Sequence, residues 1–416
     1  MFVLFILLFV IDIILFEFIS FFFPVLTSNI ELYSLLFILI HGICVLFILI
    51  VKGDEYKHIF IIGFILRLFI MFADLYHWFP ILHSGGDSES FNWIAVSNQT
   101  LTEKMFRTNY TEFLTVLYSF THCSRYLAQY INVIFGISIL LVSRQIFEKL
   151  GIRKEIIFKS LIFIALLPNL IILSGILLRE AWVQYFAILS VYYFIDWYTS
   201  GKELSQLLSI VAVLLASYMH SGIIGLAVGY LIAYLTYNPR NESVQFSRES
   251  IIGIAVISIS MLFLAGNSSM FASHFEGIDS PDRLNTMINS RVEAGSAYLT
   301  WLHSDNIVVS FLVAPLKMFY FMYSPIPLDW RGMGDIIAFT IDSSFYIYLT
   351  WYIFKTNIQN RNSQILKKYL LTGLMIVIFL YAYGTIAAGT AMRHRAKIFP
   401  ILVITFAICE NEQKKR

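Results

Sequence analysis

Runs of about 20 apolar residues recur along this chain, and they constrain its fold more than any other feature. In a bilayer such a run forms a helix, because a helix satisfies its own backbone hydrogen bonds. The 416 residues are 58% hydrophobic and 13% charged, which leaves no room for a separate soluble catalytic domain. The sequence therefore predicts an all-α, polytopic transmembrane helical bundle, with residues 1–416 as one domain.

The apolar runs predict about 11–13 membrane segments. Their approximate ranges are 2–23, 31–52, 58–78, 126–146, 156–177, 180–197, 205–218, 220–237, 250–266, 306–323, 336–355, 367–387 and 396–409. The first run contains Asp12 and Glu17 and lacks a basic segment before it and a small-residue cleavage site after it. We interpret it as a retained helix and not as a signal peptide.

The distribution of basic residues predicts which loops face the cytoplasm. Lysine and arginine crowd four connections and the tail, at 52–57, 144–159, 240–248, 355–368 and 414–416. The outward segments are then 79–125, 178–180, 219–222, 267–305 and 388–395. Because 79–125 and 267–305 mix aromatic with charged residues, we expect them to lie on the membrane as outer-face loops and amphipathic helices.

One crossing must be incomplete if the basic loop at 355–368 is to face the cytoplasm. The segment 306–335 is one candidate, because Pro325 and Pro327 would break a helix and leave a re-entrant piece. The alternative is that 205–237 forms one long helix, which would place 267–305 inside.

Net charge and cysteine spacing argue against nucleic-acid and metal-binding functions. A net charge of +2 is too small to indicate nucleic acid as a partner. Cys44, Cys123 and Cys409 share no metal-ligand spacing, so we expect no metal site, no disulfide framework and no cofactor.

The polar loop at 85–89 contains the first candidate catalytic residue, Asp87. The loop reads Gly-Gly-Asp-Ser-Glu, and glycines let a backbone approach a ligand closely. The Asp87 carboxylate could take a proton from a hydroxyl group. The alternative is that Asp87 caps a helix that begins near Ser90.

Arg179 and Glu180 fall between two apolar runs with no loop to hold them. Charges at membrane depth are costly, which makes them functional candidates. The Arg179 guanidinium suits phosphate oxygens, and Glu180 could orient or neutralise it. The alternative is an interfacial arginine that reaches lipid headgroups beside its counter-ion.

Two more outward segments contain isolated polar residues. His220 interrupts a long apolar run and is a candidate base, although a lone histidine in a membrane helix is often only a hydrogen-bonded structural residue. Arg291 precedes Gly295 and Tyr298, where a more apolar segment begins, so it is a better binding candidate than the charges at 282–283.

Arg393, His394 and Arg395 place potential cations at an outward helix start, against the positive-inside expectation. An anionic ligand would explain them, because arginine pairs bidentately with phosphate. The alternative is that this loop is cytoplasmic and the last two helices are inverted, but the basic tail favours the outward placement.

An acid on one outward loop and arginines on others suit group transfer from a phosphate-activated donor. The arginines would stabilise the departing phosphate or diphosphate while a base deprotonates an acceptor hydroxyl. The sequence has no paired aspartates for the metal of a nucleotide sugar, and no P-loop, HExxH or GxSxG motif. A lipid-linked sugar is therefore the favoured donor.

These motifs together resemble the Wzy and EpsG-like oligosaccharide repeat-unit polymerases of bacterial capsule, exopolysaccharide and O-antigen pathways. The resemblance extends from about residue 80 to residue 400 and is carried by short segments. They are residues 85–88, 174–180, 219–221, 291–298, 323–327 and 392–395, with Pro400 in the last helix.

The resemblance implies a GT-C-like, multi-pass protein of the bacterial inner membrane, usually metal-independent. It would join repeat units carried on undecaprenyl diphosphate at the periplasmic or outer leaflet, with membrane lipids and the flippase and chain-length regulator of the same pathway as partners. The implied diphosphate-binding and sugar-binding residues are Arg179, Arg291, Arg393, His394 and Arg395. The implied catalytic residues are Asp87, His220 and Glu180, with Asp87 or His220 as the acceptor base.

Two alternatives stay open. A GT-C glycosyltransferase that uses a polyprenyl-phosphate sugar would also place an acid such as Asp87 or Glu89 on an early loop. A lipid-linked-glycan flippase or transporter would spread its charges along a central path. The O-antigen ligase branch is less favoured, because the chain lacks a long basic soluble loop.

Overall fold

Helices account for almost all of the regular structure. The computed structural model describes residues 2–22, 29–244, 297–299 and 312–415. Its α-helices are Phe2–Phe22 (α1), Ile30–Lys52 (α2), Lys57–Leu75 (α3), Gly86–Ser97 (α4), Asn109–Phe120 (α5), Arg125–Lys149 (α6), Lys154–Leu166 (α7), Pro168–Gly175 (α8), Glu180–Ser200 (α9), Glu203–Met219 (α10), Gly225–Thr236 (α11), Ala314–Tyr323 (α12), Met333–Ala338 (α13), Ser344–Lys355 (α14), Arg361–Tyr383 (α15), Ala388–Arg395 (α16) and Phe399–Lys414 (α17). A π-helix, Phe339–Ser343, joins α13 to α14. In these same ranges the β-structure consists of two short strands, Tyr237–Asn238 (β1) and Ser243–Val244 (β2), paired antiparallel, and an isolated bridge between Ala297 and Ala387.

Several helices are long and apolar enough to span a membrane, as the sequence predicts. Within the described ranges they are Ile30–Lys52, Asp54–Leu75, Arg125–Lys149, Met333–Lys355 and Arg361–Tyr383. Asn29 and Asn360 begin two of them by accepting backbone N–H groups of the first turn. Some other predicted segments are broken within the described residues, and the predicted segment 250–266 lies outside them.

Proline and histidine residues mark these breaks. The predicted segment 156–177 is bent by 52° between α7 and α8, because Pro168 lacks the N–H that would continue the helix. His220 has extended backbone angles and separates α10 from a 3-10 turn, Ser221–Ile224, so the alternative of one long helix over 205–237 is wrong. The predicted break at Pro325 is confirmed, because α12 ends at Tyr323.

The chain divides into two compact units. The first comprises Met1–Arg144 and Leu161–Tyr185, and the second comprises Gln145–Ser160 and Phe186–Arg416. In the first unit α3 packs against α8 and α4 packs against α5. In the same unit the side chains of α6 from Leu127 to Val142 are largely buried, so α6 forms much of its core.

A fully buried helix forms the core of the second unit. Every residue of α17 from Phe399 to Asn411 is buried, as expected for a helix that is apolar on all sides. It packs against α14 and α15. Helix α11 also packs on α15, where a Cβ atom on Gly229 would lie 2.6 Å from the Gly373 Cα atom. Small residues at this crossing allow the two backbones to approach closely.

Candidate functional site

Three rings from separate parts of the second unit meet in a histidine cluster, defined as His220, Tyr381 and His394. The ring centroids of His220 and His394 are 4.6 Å apart, and the Tyr381 ring lies 5.0 Å from the first and 5.2 Å from the second. His220 is 8% exposed, whereas His394 is half-buried. The two histidines that the sequence predicts as site residues are therefore neighbours, and imidazoles can accept or return a proton near neutral pH.

Close packing holds the rings of the histidine cluster in place. Gly222 lies against Tyr381, and a Cβ atom there would be 2.4 Å from the ring, so no larger residue fits without a shift. The Thr385 hydroxyl lies 3.2 Å from His394 Nδ1. Tyr298 donates from its hydroxyl to the Thr385 carbonyl at 3.1 Å. Burial raises the pKa of the Tyr298 phenol above its usual range, so this group stays a donor.

One cationic side chain borders the histidine cluster, and a second cationic residue precedes it in the sequence. The Lys397 Nζ atom lies 5.2 Å from the centroid of the Tyr381 ring, and the Lys397 side chain is completely buried. Arg393 is half-buried in the last turn of α16, directly before His394 in the sequence. The cluster therefore combines groups that can move a proton with groups that attract an anion.

Arg395 has an enclosed guanidinium group. Its Nε atom donates to Asp342 Oδ2 and its Nη2 atom donates to the Ser343 hydroxyl, both at 2.9 Å. Its Nη1 atom donates to the backbone carbonyls of Met322 at 3.1 Å and Ser324. Direct binding of a diphosphate by Arg395 stays a prediction. The observed contacts give it a structural role, because they join the C-terminal end of α12 to the π-helix.

Asp87 is the second residue of α4, which begins at Gly86. Gly85 precedes the helix with a φ of 95°, a conformation that glycine adopts without strain, and the Ser88 hydroxyl donates to its carbonyl at 2.7 Å. The alternative that Asp87 caps a helix beginning three residues later is therefore wrong. Its partly exposed carboxylate pairs with Arg107 at 3.3 Å, and the first turn of a helix favours a negative charge.

A buried acid anchors the loop before α4, the helix that carries Asp87. Asp74, at the end of α3, accepts hydrogen bonds from the Ser84 hydroxyl, from Arg125 Nη2 at 3.3 Å and from Gln129 Nε2 at 2.5 Å. Arg125 also pairs with Glu89 at 2.8 Å. The ends of α3 and α6 thus fix the loop at two points within the first unit.

Arg179 and Glu180 follow a non-helical turn between α8 and α9. Asn132 Nδ2 holds this turn by donating to the carbonyls of Ile176 and Leu178, both at 2.8 Å. Glu180 is completely buried at the first position of α9, where the helix dipole favours its charge, and Arg179 is half-buried. This arrangement gives Asn132 a structural role in holding the turn. It is compatible with the predicted phosphate-binding role of Arg179.

Several residues of these sites are not singled out by the sequence. Asp342 lies within an apolar run, and an acid in that position is a signal that could have identified it. No comparable signal marks Tyr381, since the chain contains 24 tyrosines. Arg291 and most of the loop 267–305 lie outside the described residues.

Comparisons with known proteins do not identify a family. No protein-family model, no curated protein and no solved structure matches the chain.

Proposed function

We propose that the chain is a membrane glycosyltransferase that polymerises oligosaccharide repeat units carried on undecaprenyl diphosphate. The short motifs shared with the Wzy and EpsG-like polymerases and the candidate membrane spans support this function. The observation that carries it is the histidine cluster with Lys397 beside it and Arg393 next to His394 in the sequence, because the reaction needs both a base and cations.

In the proposed reaction a hydroxyl oxygen of the acceptor sugar attacks the anomeric carbon of the donor sugar. A glycosidic C–O bond forms, the C–O bond to the diphosphate breaks, and the diphosphate leaves with the electron pair. An imidazole of His220 or His394 accepts the hydroxyl proton. Arg393 and Lys397 stabilise the negative charge that develops on the leaving diphosphate.

Asp87 is the second candidate for the acceptor base. Its carboxylate is partly exposed in the first turn of α4, which follows a candidate span. If Asp87 is the base, Asp87→Asn abolishes transfer, whereas variants of the histidine cluster retain most of the rate. The opposite pattern assigns the proton transfer to the cluster.

We place the reaction at the periplasmic or outer leaflet of a bacterial plasma membrane. The basic tail and the basic loops favour this orientation, since they are expected to be cytoplasmic. A flippase that delivers the lipid-linked units and a chain-length regulator are the expected partners.

The test is chain elongation by purified protein in liposomes that contain a lipid-diphosphate-linked oligosaccharide. We expect His220→Ala or His394→Ala to lower the initial rate by about 100-fold or more, the contribution typical of a general base. His58→Ala is the matched control, because His58 is an exposed histidine remote in sequence from the cluster. Near-normal rates from both cluster variants would show that the histidine cluster does not take part in the reaction.

The same assay separates two donor classes. We expect the diphosphate-linked donor to be consumed and a polyprenyl-monophosphate sugar to be inert. Consumption of the monophosphate donor alone would instead identify a GT-C glycosyltransferase that adds single sugars.

Transport is a second candidate, favoured by buried polar residues inside two candidate spans. Arg67 is 1% exposed in α3, where its Nη1 atom donates to the carbonyls of Gly63 at 2.9 Å and Ala165 at 3.4 Å. His41 is buried in α2 beside Tyr130. Polar groups at this depth are typical of transport paths. The test is movement of a fluorescent lipid-linked glycan across the membrane of liposomes that contain the protein. Movement by the wild-type protein without chain elongation, and loss of that movement in Arg67→Met, would support transport.

A further inference from the structure

Three candidate spans of the first unit have ends at a common level. The Tyr76 hydroxyl, just after α3, donates to Glu31 Oε1 at the start of α2, at 2.7 Å. The ring centroid of Tyr76 lies 6.1 Å from that of Tyr126 at the start of α6. Because each span is about as long as the hydrocarbon layer is thick, this level corresponds to a bilayer surface.

Aromatic side chains continue from this level onto the outer side of α3. The ring centroids of Trp78 and Phe79 lie 5.8 Å and 6.2 Å from that of Phe69, which is itself exposed on the span. Trp78 is 56% exposed. Tryptophan and tyrosine concentrate at membrane–water interfaces, so these rings mark the headgroup layer.

The segment that follows exposes further apolar side chains. We call residues 76–120 the arm; it contains α4 and α5. Its other exposed apolar residues are Leu82, Trp93, Val96, Leu101, Met105, Phe106, Val116 and Phe120. Large apolar patches on surfaces that face water are rare and mark interaction sites.

The arm is an ordered structure with its own core. The rings of Phe91 and Tyr110 pack at 5.5 Å between α4 and α5. Asn98 donates to the Met105 carbonyl at 2.7 Å and accepts from the Met105 N–H at 2.8 Å. The exposed apolar groups are therefore presented on a fixed scaffold.

The exposed apolar side chains and the neighbouring span point to a phospholipid surface as the partner of the arm. Lys104 lies next to the exposed side chain of Met105 and can reach phosphate groups, while Arg107, after Phe106, pairs with Asp87. A lysine reaches headgroup phosphates while its apolar neighbours enter the lipid. Continuity with the outer face of α3 points to the same partner.

We propose that the arm lies in the phospholipid headgroup layer, with its exposed apolar side chains among the upper parts of the lipid chains. This surface does not depend on the proposed catalytic function. It makes the arm an anchor that sets the depth of Asp87, in the first turn of α4.

Fluorescence quenching in lipid nanodiscs tests this placement with the full chain. Lipids brominated near the headgroup, lipids brominated near the chain ends and aqueous iodide serve as three quenchers. The contribution of Trp93 is the emission lost on Trp93→Phe. We expect it to be quenched more by the shallow bromines than by the deep ones and to be protected from iodide.

Two other tryptophans provide matched controls. Trp197 is fully buried, so its contribution should resist all three quenchers. Trp351 is exposed within a candidate span and should be quenched by bromolipid. Quenching of Trp93 by iodide would place the arm in water and overturn the proposal. Protection of Trp93 from every quencher would also overturn it, since a protein partner would then cover the arm.

Since one substitution could perturb folding, a second measurement follows Phe106. A nitroxide attached to Phe106→Cys, in a chain whose three native cysteines are replaced, should collide more often with oxygen than with a water-soluble nickel chelate. The reverse order of collision rates would contradict the placement in lipid.

Discussion

Asp342→Asn should strongly destabilise the second unit, because it leaves a buried cation without its counter-ion. Arg395 is 0% exposed and Asp342 is 3% exposed, and the two side chains share two hydrogen bonds. The amide keeps the shape of the carboxylate but removes its charge. Removal of one partner from a buried ion pair costs about 3–5 kcal/mol, and we expect a loss of unfolding free energy in that range.

The assay is unfolding in mixed micelles by titration with a denaturing detergent, followed by circular dichroism. Asp335→Asn is the matched control, because Asp335 belongs to an ion pair with Arg331 whose side chains are 21% and 39% exposed. Exposed pairs contribute at most about 1 kcal/mol. A loss from Asp342→Asn no larger than that of the control would refute the assignment.

A double variant separates charge from packing. Asp342→Leu combined with Arg395→Met removes both charges and keeps apolar volume. Replacement of a whole buried pair is often close to neutral in stability, so the double variant should be more stable than either single variant. Additive losses would show that the two residues do not act as a pair.

Three further substitutions test close contacts, with the same unfolding assay. Gly222→Ala puts a Cβ atom 2.4 Å from the Tyr381 ring; we expect a loss of about 1–3 kcal/mol and reduced elongation, and normal values of both would contradict the packing. Asn132→Leu removes the side-chain donor to two buried carbonyls of the turn before α9, of which the Ile176 carbonyl keeps the Leu178 N–H; the expected cost is about 1–3 kcal/mol, and an unchanged unfolding curve would disprove the role of Asn132. Tyr130→Phe removes the hydroxyl that lies 2.8 Å from His41 Nδ1. We expect the free energy of unfolding to fall by about 1 kcal/mol, and an unaltered unfolding midpoint would contradict a stabilising role for this hydrogen bond.

Long apolar runs with clear ends are predictable from the sequence. The predicted segments 31–52 and 126–146 agree with helices Ile30–Lys52 and Arg125–Lys149 to within a few residues. Both runs are uninterrupted by proline. The predicted segment 156–177 corresponds to two apolar helices with a 52° bend between them; Pro168 is visible in the sequence, but hydrophobicity alone does not reveal the bend.

Side-chain partnerships are not predictable in the same way. The sequence indicates His220 and His394 as candidates by residue type, but their adjacency depends on how α10, α15 and α16 pack. The basic run at 393–395 suggests three equivalent cations. In the structure Arg395 is enclosed by partners from α12 and the π-helix, while Arg393 and His394 stay half-buried, and only tertiary contacts could reveal that difference.

The stoichiometry of a single turnover by purified protein in liposomes tests the proposed polymerase function most directly. With a lipid-diphosphate-linked oligosaccharide as both donor and acceptor, we expect one free undecaprenyl diphosphate to be released for each new glycosidic bond. Both products should be lost in His394→Ala but not in His58→Ala. Release of no lipid diphosphate by the wild-type protein, or translocation of the lipid-linked glycan without any bond formation, would contradict this function.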